Sequence, residues 1–160
     1  MNEDVLRTQL IEQLTAGQAY IPVEEAIRGF PAGLAGEHVD GVAHTAWEIL
    51  EHMRIAQWDI LNFTVDPNHV TLPWPDEHWP PTSAPEDAAA WNRSLDIFFC
   101  ELEKVKELAR DPQIDLFQVI PHGTGQTVLR EILLVADHNA YHLGQFMLIR
   151  RALELRSSAA

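Results

Sequence analysis

The chain has 160 residues, 46% of them hydrophobic, with 11 basic against 24 acidic side chains and a formal net charge of −13. That charge repels phosphate backbones and anionic bilayers, which argues against nucleic acid and membrane surfaces as partners. No apolar run approaches the roughly 20 residues needed to span a bilayer. Met1-Asn2-Glu3-Asp4 lacks the basic-then-apolar order of a signal peptide, and the lone Cys100 can form no internal disulfide, so a cytoplasmic setting is expected. The length suits one domain, residues 1–160.

In chain order, Glu3 to Thr15 reads as a first helix, with Val5, Leu6, Leu10, Ile11 and Leu14 at helical spacing and Gly17 as a stop. Val23–Phe30 reads as a short second piece behind Pro22. Pro31, Gly33, Gly36 and Gly41 mark an irregular connection. The next helix is expected to begin near His44-Thr45, with Thr45 as cap and Glu48 closing a capping box, and to end at Asp66-Pro67. Residues 64–84 carry five prolines and two tryptophans, which precludes regular structure and predicts a long loop packed down over something. A helix is expected from Ser83-Ala84-Pro85 to about Arg110, on the stripe Trp91, Leu95, Phe98, Phe99, Leu102 and Val105. Leu116–Ile120 reads as a short strand or an extended arm, and a last helix as running from about Gly125 to Leu155. The economical architecture is all-α: a four-helix bundle with a long Pro/Trp-rich crossover loop.

The last helix carries His138 and His142. A spacing of four turns the second side chain only about 40° around the axis, so both imidazoles lean the same way, beside Leu134, Val135, Gln145, Phe146 and Ile149. Two nitrogens on one face are half of a transition-metal site, or two core histidines satisfied by neighbours. On the helix after Thr45 the apolar stripe is Ile49, Met53, Ala56 and Ile60. His52 borders it and is the best third donor, with His44 in reserve. His69, His78 and His122 read as surface or loop-packing residues, and Cys100 as a small buried hydrophobe.

The segment His44-Thr45-Ala46-Trp47-Glu48-Ile49-Leu50-Glu51-His52-Met53-Arg54, taken with Ala136-Asp137-His138-Asn139-Ala140-Tyr141-His142-Leu143-Gly144-Gln145, resembles the DinB/YfiT-like superfamily. The Trp-Pro loop around Leu72–Trp79 is similar to that of the same branch. The resemblance covers nearly the whole chain, and its most specific part is the H-x-x-x-H-x-G-Q run. It implies a four-helix bundle in which three histidines hold a divalent metal, zinc or nickel. Carried over by motif position, the ligands are His52, His138 and His142.

Relatives in that superfamily transfer low-molecular-weight thiols onto electrophiles. The resemblance therefore implies a metal-dependent enzyme that activates a thiol or a water, transferase-like first and hydrolase-like second. Glu48 and Asp59 are candidates to orient His52 or act as base, and Gln145 to orient the bound water or His142. The chain offers no basic cluster for the carboxylates of such a thiol, and its acidity weighs against an anionic substrate. Trp74 and Trp79 are candidates to roof the site and select an apolar one. The rival readings are a metal-binding stress protein without turnover and a structural bundle. Trp47, Trp58 and Leu61 would supply the apolar surface for a homodimer.

Overall fold

The computed structural model describes residues 3–15 and 19–159, the side chains of residues 157–159 excepted. These residues form helices α1 (Glu3–Thr15), α2 (Val23–Arg28), α3 (Ala46–Val65), α4 (Ala88–Arg110) and α5 (Val128–Ala159). Short 3-10 turns at Ala32–Leu34 and Asp76–His78 interrupt the connections. The described residues contain no strand, only an isolated antiparallel bridge between Val119 and Thr127. No described helix is long and apolar enough to cross a membrane.

The expected start of α3 is found. Thr45 Oγ1 accepts from the Glu48 amide at 3.2 Å, and Glu48 Oε2 accepts from the Thr45 amide at 2.7 Å. Both satisfy amides that a helix start leaves without partners. The expected start of α4 is displaced. Asp87 caps it through Oδ1, which accepts from the Ala90 amide at 2.6 Å, and the Ser83–Pro85 stretch stays irregular. Those residues are used elsewhere: the Thr45 hydroxyl donates to the Ser83 carbonyl at 2.6 Å. Ala84 lies so close to Gly36 that a Cβ there would come within 2.4 Å of the Ala84 Cβ. A helix over 83–87 would undo both contacts. Likewise α5 begins at Val128 rather than Gly125, where Thr127 Oγ1 accepts from the Arg130 amide at 3.2 Å, and it runs to Ala159 rather than Leu155. Gly17, the expected stop of α1, lies outside the described residues.

Helix α3 packs along both α4 and α5, while α1 lies mainly against α4 and α2 against α5. The core between them contains Leu50, Met53, Trp91, Phe98, Leu143, Phe146 and Ile149. Cys100 is exposed, contrary to expectation. It sits two residues, about 200°, from the buried Phe98 and so faces away from the core. Of the residues expected to supply a dimer surface, Trp47 and Leu61 are buried, and Trp58 is half-buried with its ring edge-to-face on His69.

Two polar devices hold the helices in register. Asn139 Nδ2 donates to Gln57 Oε1 at 2.9 Å, and Gln57 Nε2 donates to the Phe98 carbonyl at 2.9 Å, so a buried relay ties α5 to α3 and α3 to α4. Arg7, buried in α1, spreads its guanidinium over the end of α4. It donates to the carbonyls of Ala109 (3.0 Å), Asp111 (2.9 Å) and Ile114 (2.6 Å), and pairs with Glu3. A cation there satisfies carbonyls the helix leaves open and meets the negative end of its dipole. Arg7→Met keeps the stem and removes the donors. It is expected to lower the unfolding free energy by about 2–3 kcal/mol in chemical denaturation, since buried carbonyls lose a charged partner.

Candidate metal centre

His52 comes from the middle of α3, and His138 and His142 from successive turns of α5. Because α3 and α5 pack directly, the three imidazoles meet. His52 Nε2 lies 3.1 Å from His142 Nε2 and 3.1 Å from His138 Nε2, and one ring nitrogen from each of the three lies within 4.8 Å of the others. His52 and His142 are buried, and His138 is half-buried.

The second nitrogens of the rings decide what these contacts are. His52 Nδ1 faces the His78 carbonyl oxygen at 2.7 Å. An oxygen of that kind can only accept, so Nδ1 carries the hydrogen and Nε2 a bare lone pair. His142 Nδ1 faces Gln145 Oε1 at 3.2 Å, which by the same reasoning leaves His142 Nε2 bare. Two lone pairs thus point at each other across 3.1 Å, a repulsive contact unless a cation stands between them. Tetrahedral imidazole ligands at about 2.0–2.1 Å from zinc stand about 3.3 Å apart, so the spacing and the donor set fit a single divalent ion.

Burial also keeps the rings neutral. It pushes the His52 pKa down from 6.5 to about 4, helped by the nearby His142 and partly offset by the His78 carbonyl. Burial first, then the His142 and His52 charges, lowers His138 from 6.5 to about 3. His142 is lowered too, again by burial first. At neutral pH the cluster therefore presents neutral imidazoles, the form that binds metal.

The other expected site residues divide. Gln145 Oε1 lies 3.2 Å from His142 Nδ1, within hydrogen-bond reach of that ring. Glu48 is occupied as the capping partner of Thr45, and the histidine within its reach is His44 at 3.9 Å, so it does not orient His52. Asp59 is buried, but no hydrogen bond joins it to the cluster among the described residues. Its Oδ1 accepts from His69 Nε2 at 2.7 Å and from the Leu72 amide at 3.1 Å, and its Oδ2 lies 3.5 Å from His78 Nε2. Asp59 thus ties down the loop that delivers the His78 carbonyl. His69 and His78 are accordingly structural members of the site's surroundings. His122 stays exposed, with Nε2 donating to the Phe63 carbonyl at 2.6 Å. What orients His52 is a backbone oxygen, which leaves no trace in residue identity.

The loop between α3 and α4 covers the cluster. Trp79 stacks on His52 with ring centroids 3.9 Å apart and planes 3° apart, and His44 stacks on Trp79 at 4.0 Å. His44 therefore backs the ring that stacks on His52 and does not join the cluster. Trp74 is 67% exposed, with its ring 6.1 Å from His52 and 5.0 Å from His78. Two recesses flank the cluster, about 240 Å³ beside His138 and about 370 Å³ beside Gln145 and His44. A hollow of about 480 Å³ between α3 and α4 is lined by none of the three histidines.

The chain matches no protein-family model, no curated protein and no solved structure.

Lowered folded-state values give a definite sign. Between pH 6.5 and the folded values the unfolded chain binds more protons than the folded one, so stability rises with pH over that window. The metal-free protein is expected to hold full stability above about pH 6.5 and to lose it as the pH falls toward 4. His138→Gln, which cannot titrate, should flatten that loss in thermal melts taken across the window. An unchanged pH profile counts against neutral, buried imidazoles.

Proposed function

We propose that this chain is a four-helix bundle of the DinB/YfiT-like kind that holds one divalent transition metal, zinc or nickel, through His52, His138 and His142. The observation that carries this reading is the pair of bare nitrogens of His52 and His142, held 3.1 Å apart by partners that force both hydrogens onto the other ring positions. Two buried acceptors in contact are costly in a protein interior unless a proton or a metal ion is shared between them. A metal ion removes that cost.

A metal bound by three neutral imidazoles keeps an open position, where it lowers the pKa of a water or a thiol toward neutrality. The residues around it supply the rest. The His78 carbonyl and Gln145 fix the ring tautomers, Trp79 holds the His52 plane by stacking, and the loop over α3 and α5 limits access of bulk water. This supports a metal-dependent enzyme acting on a small substrate through an activated thiol or water. A second reading, metal retention without turnover, is favoured by one observation: no carboxylate among the described residues hydrogen-bonds to the cluster and could serve as its base.

Protein purified without a histidine tag should contain about one zinc or nickel per chain by elemental analysis, and His52→Ala, His138→Ala and His142→Ala should each lose it. Gln145→Leu is expected to weaken metal affinity about tenfold to a hundredfold, as loss of a partner to a ligand's second nitrogen does. Glu48→Gln should leave metal content unchanged. Consumption of a small thiol with monobromobimane, or hydrolysis of an activated ester, should then require the metal. If the loaded protein turns over neither, the retention reading replaces the enzyme.

A further inference from the structure

Helix α5 turns one face into the core and leaves the opposite ridge uncovered. Exposed positions recur at Asp137, Tyr141, Gly144, Leu148, Arg151 and Leu155, in steps of three and four residues that hold one line along a helix. All lie within about 60° of Gly144 around the axis. Tyr141, Leu148 and Leu155 are 66%, 62% and 72% exposed, a row of apolar surface of the kind that marks a contact site. Gly144 in the middle of the row is unexplained by one chain alone. A glycine inside a helix is destabilising relative to alanine, yet a Cβ on Gly144 would meet nothing within 4 Å. The packing of the single chain gives no reason for it. Close approach of a second backbone does.

The ridge is complementary to itself when reversed about Gly144. Asp137 lies seven residues before that glycine and Arg151 seven after it; Ala140 and Leu148 are four away, and Leu133 and Leu155 eleven. Two copies of α5 laid antiparallel across a two-fold axis at Gly144 therefore set Asp137 of each against Arg151 of the other. Both residues are exposed, and neither has an ion pair among the described residues. The same reversal carries Leu148 and Leu155 of one copy onto the Ala140 and Leu133 end of the other. A groove of about 430 Å³ between α1 and α5 lies at that end, walled in part by Leu6, Leu10, Leu133 and Ala140. A parallel pairing loses both matches, since it sets Asp137 on Asp137 and groove on groove. The net charge of −13 makes two copies repel over most of their surface. Along this ridge one acid and one base balance, so the copies can meet there.

We propose that α5 is a self-association helix. Two copies of the chain pair antiparallel along this ridge and cross at Gly144, with Asp137 and Arg151 forming reciprocal ion pairs and the exposed leucines seated beside α1. None of the three clustered histidines lies on the ridge, so the pairing stands or falls independently of the metal centre.

The test is sedimentation equilibrium of the full-length protein, taken up to about 100 µM because the dimer population depends on chain concentration. The wild type should approach twice the 18.1 kDa of one chain. Asp137→Arg and Arg151→Asp each place like charges opposite one another, twice per dimer, and should weaken association about tenfold. The double variant restores opposite charges in reversed order and should recover the wild-type affinity to within about twofold. Gly144→Gln, which one chain accommodates without a clash, should abolish the dimer by holding the two helices apart. All three positions are exposed, so circular dichroism and thermal melts should show the monomer fold kept in every variant. A wild type that stays monomeric overturns the proposal in favour of a different protein on this ridge. A dimer indifferent to Gly144→Gln or to the single charge variants overturns it as well. Single variants that weaken the dimer with no recovery in the double variant overturn the antiparallel pairing.

Discussion

In their neutral forms His52 and His142 touch through nitrogens that cannot carry the hydrogen without giving up a bond on the far side of the ring. The His78 carbonyl holds one hydrogen and Gln145 Oε1 the other, and both lone pairs are left facing inward. Such a contact persists in a closely packed interior only when the surrounding structure over-determines it. Much of the nearby architecture can be understood as doing so. Helices α3 and α5 are locked by the Asn139–Gln57–Phe98 relay, so the rings cannot slide apart along their axes.

The loop over α3 and α5 is held as firmly as the helices. Asp59, on α3, receives His69 and the Leu72 amide, and this fixes the segment that brings the His78 carbonyl onto His52. Trp79 then stacks on the opposite concern, the plane of the ring, with His44 against it. A loop rich in proline is suited to this, because its backbone lacks donors to satisfy and loses less entropy on ordering. The site is therefore built by two helices and a strap, and the strap contributes through its backbone as much as through its side chains.

Residue type alone misassigned several roles. Glu48 and Asp59 carry the chemistry expected of a base, yet one is spent on a helix start and the other on the loop. His69 and His78, read as loop-packing residues, do pack the loop, with their side chains set against Asp59. Each of these outcomes depends on which group reaches a donor first in three dimensions, and sequence spacing does not report that.

By itself the sequence determined the helical class, most helix spans, the capping box of α3 and the inward face of His138 and His142. These follow from local rules: a period of 3.6 residues, amides that need caps, and prolines that stop helices. It also singled out His52, whose position on the α3 stripe is periodic information of the same kind. Tertiary structure alone decided the starts of α4 and α5, because Ser83 and Ala84 are held by Thr45 and Gly36 and Gly125 adopts a positive φ of 122°. It alone exposed Cys100, buried Trp47 and Leu61, and set which nitrogen of each histidine is bare. A backbone oxygen and the angle between two helices made those last assignments, and neither is written in the identity of any residue.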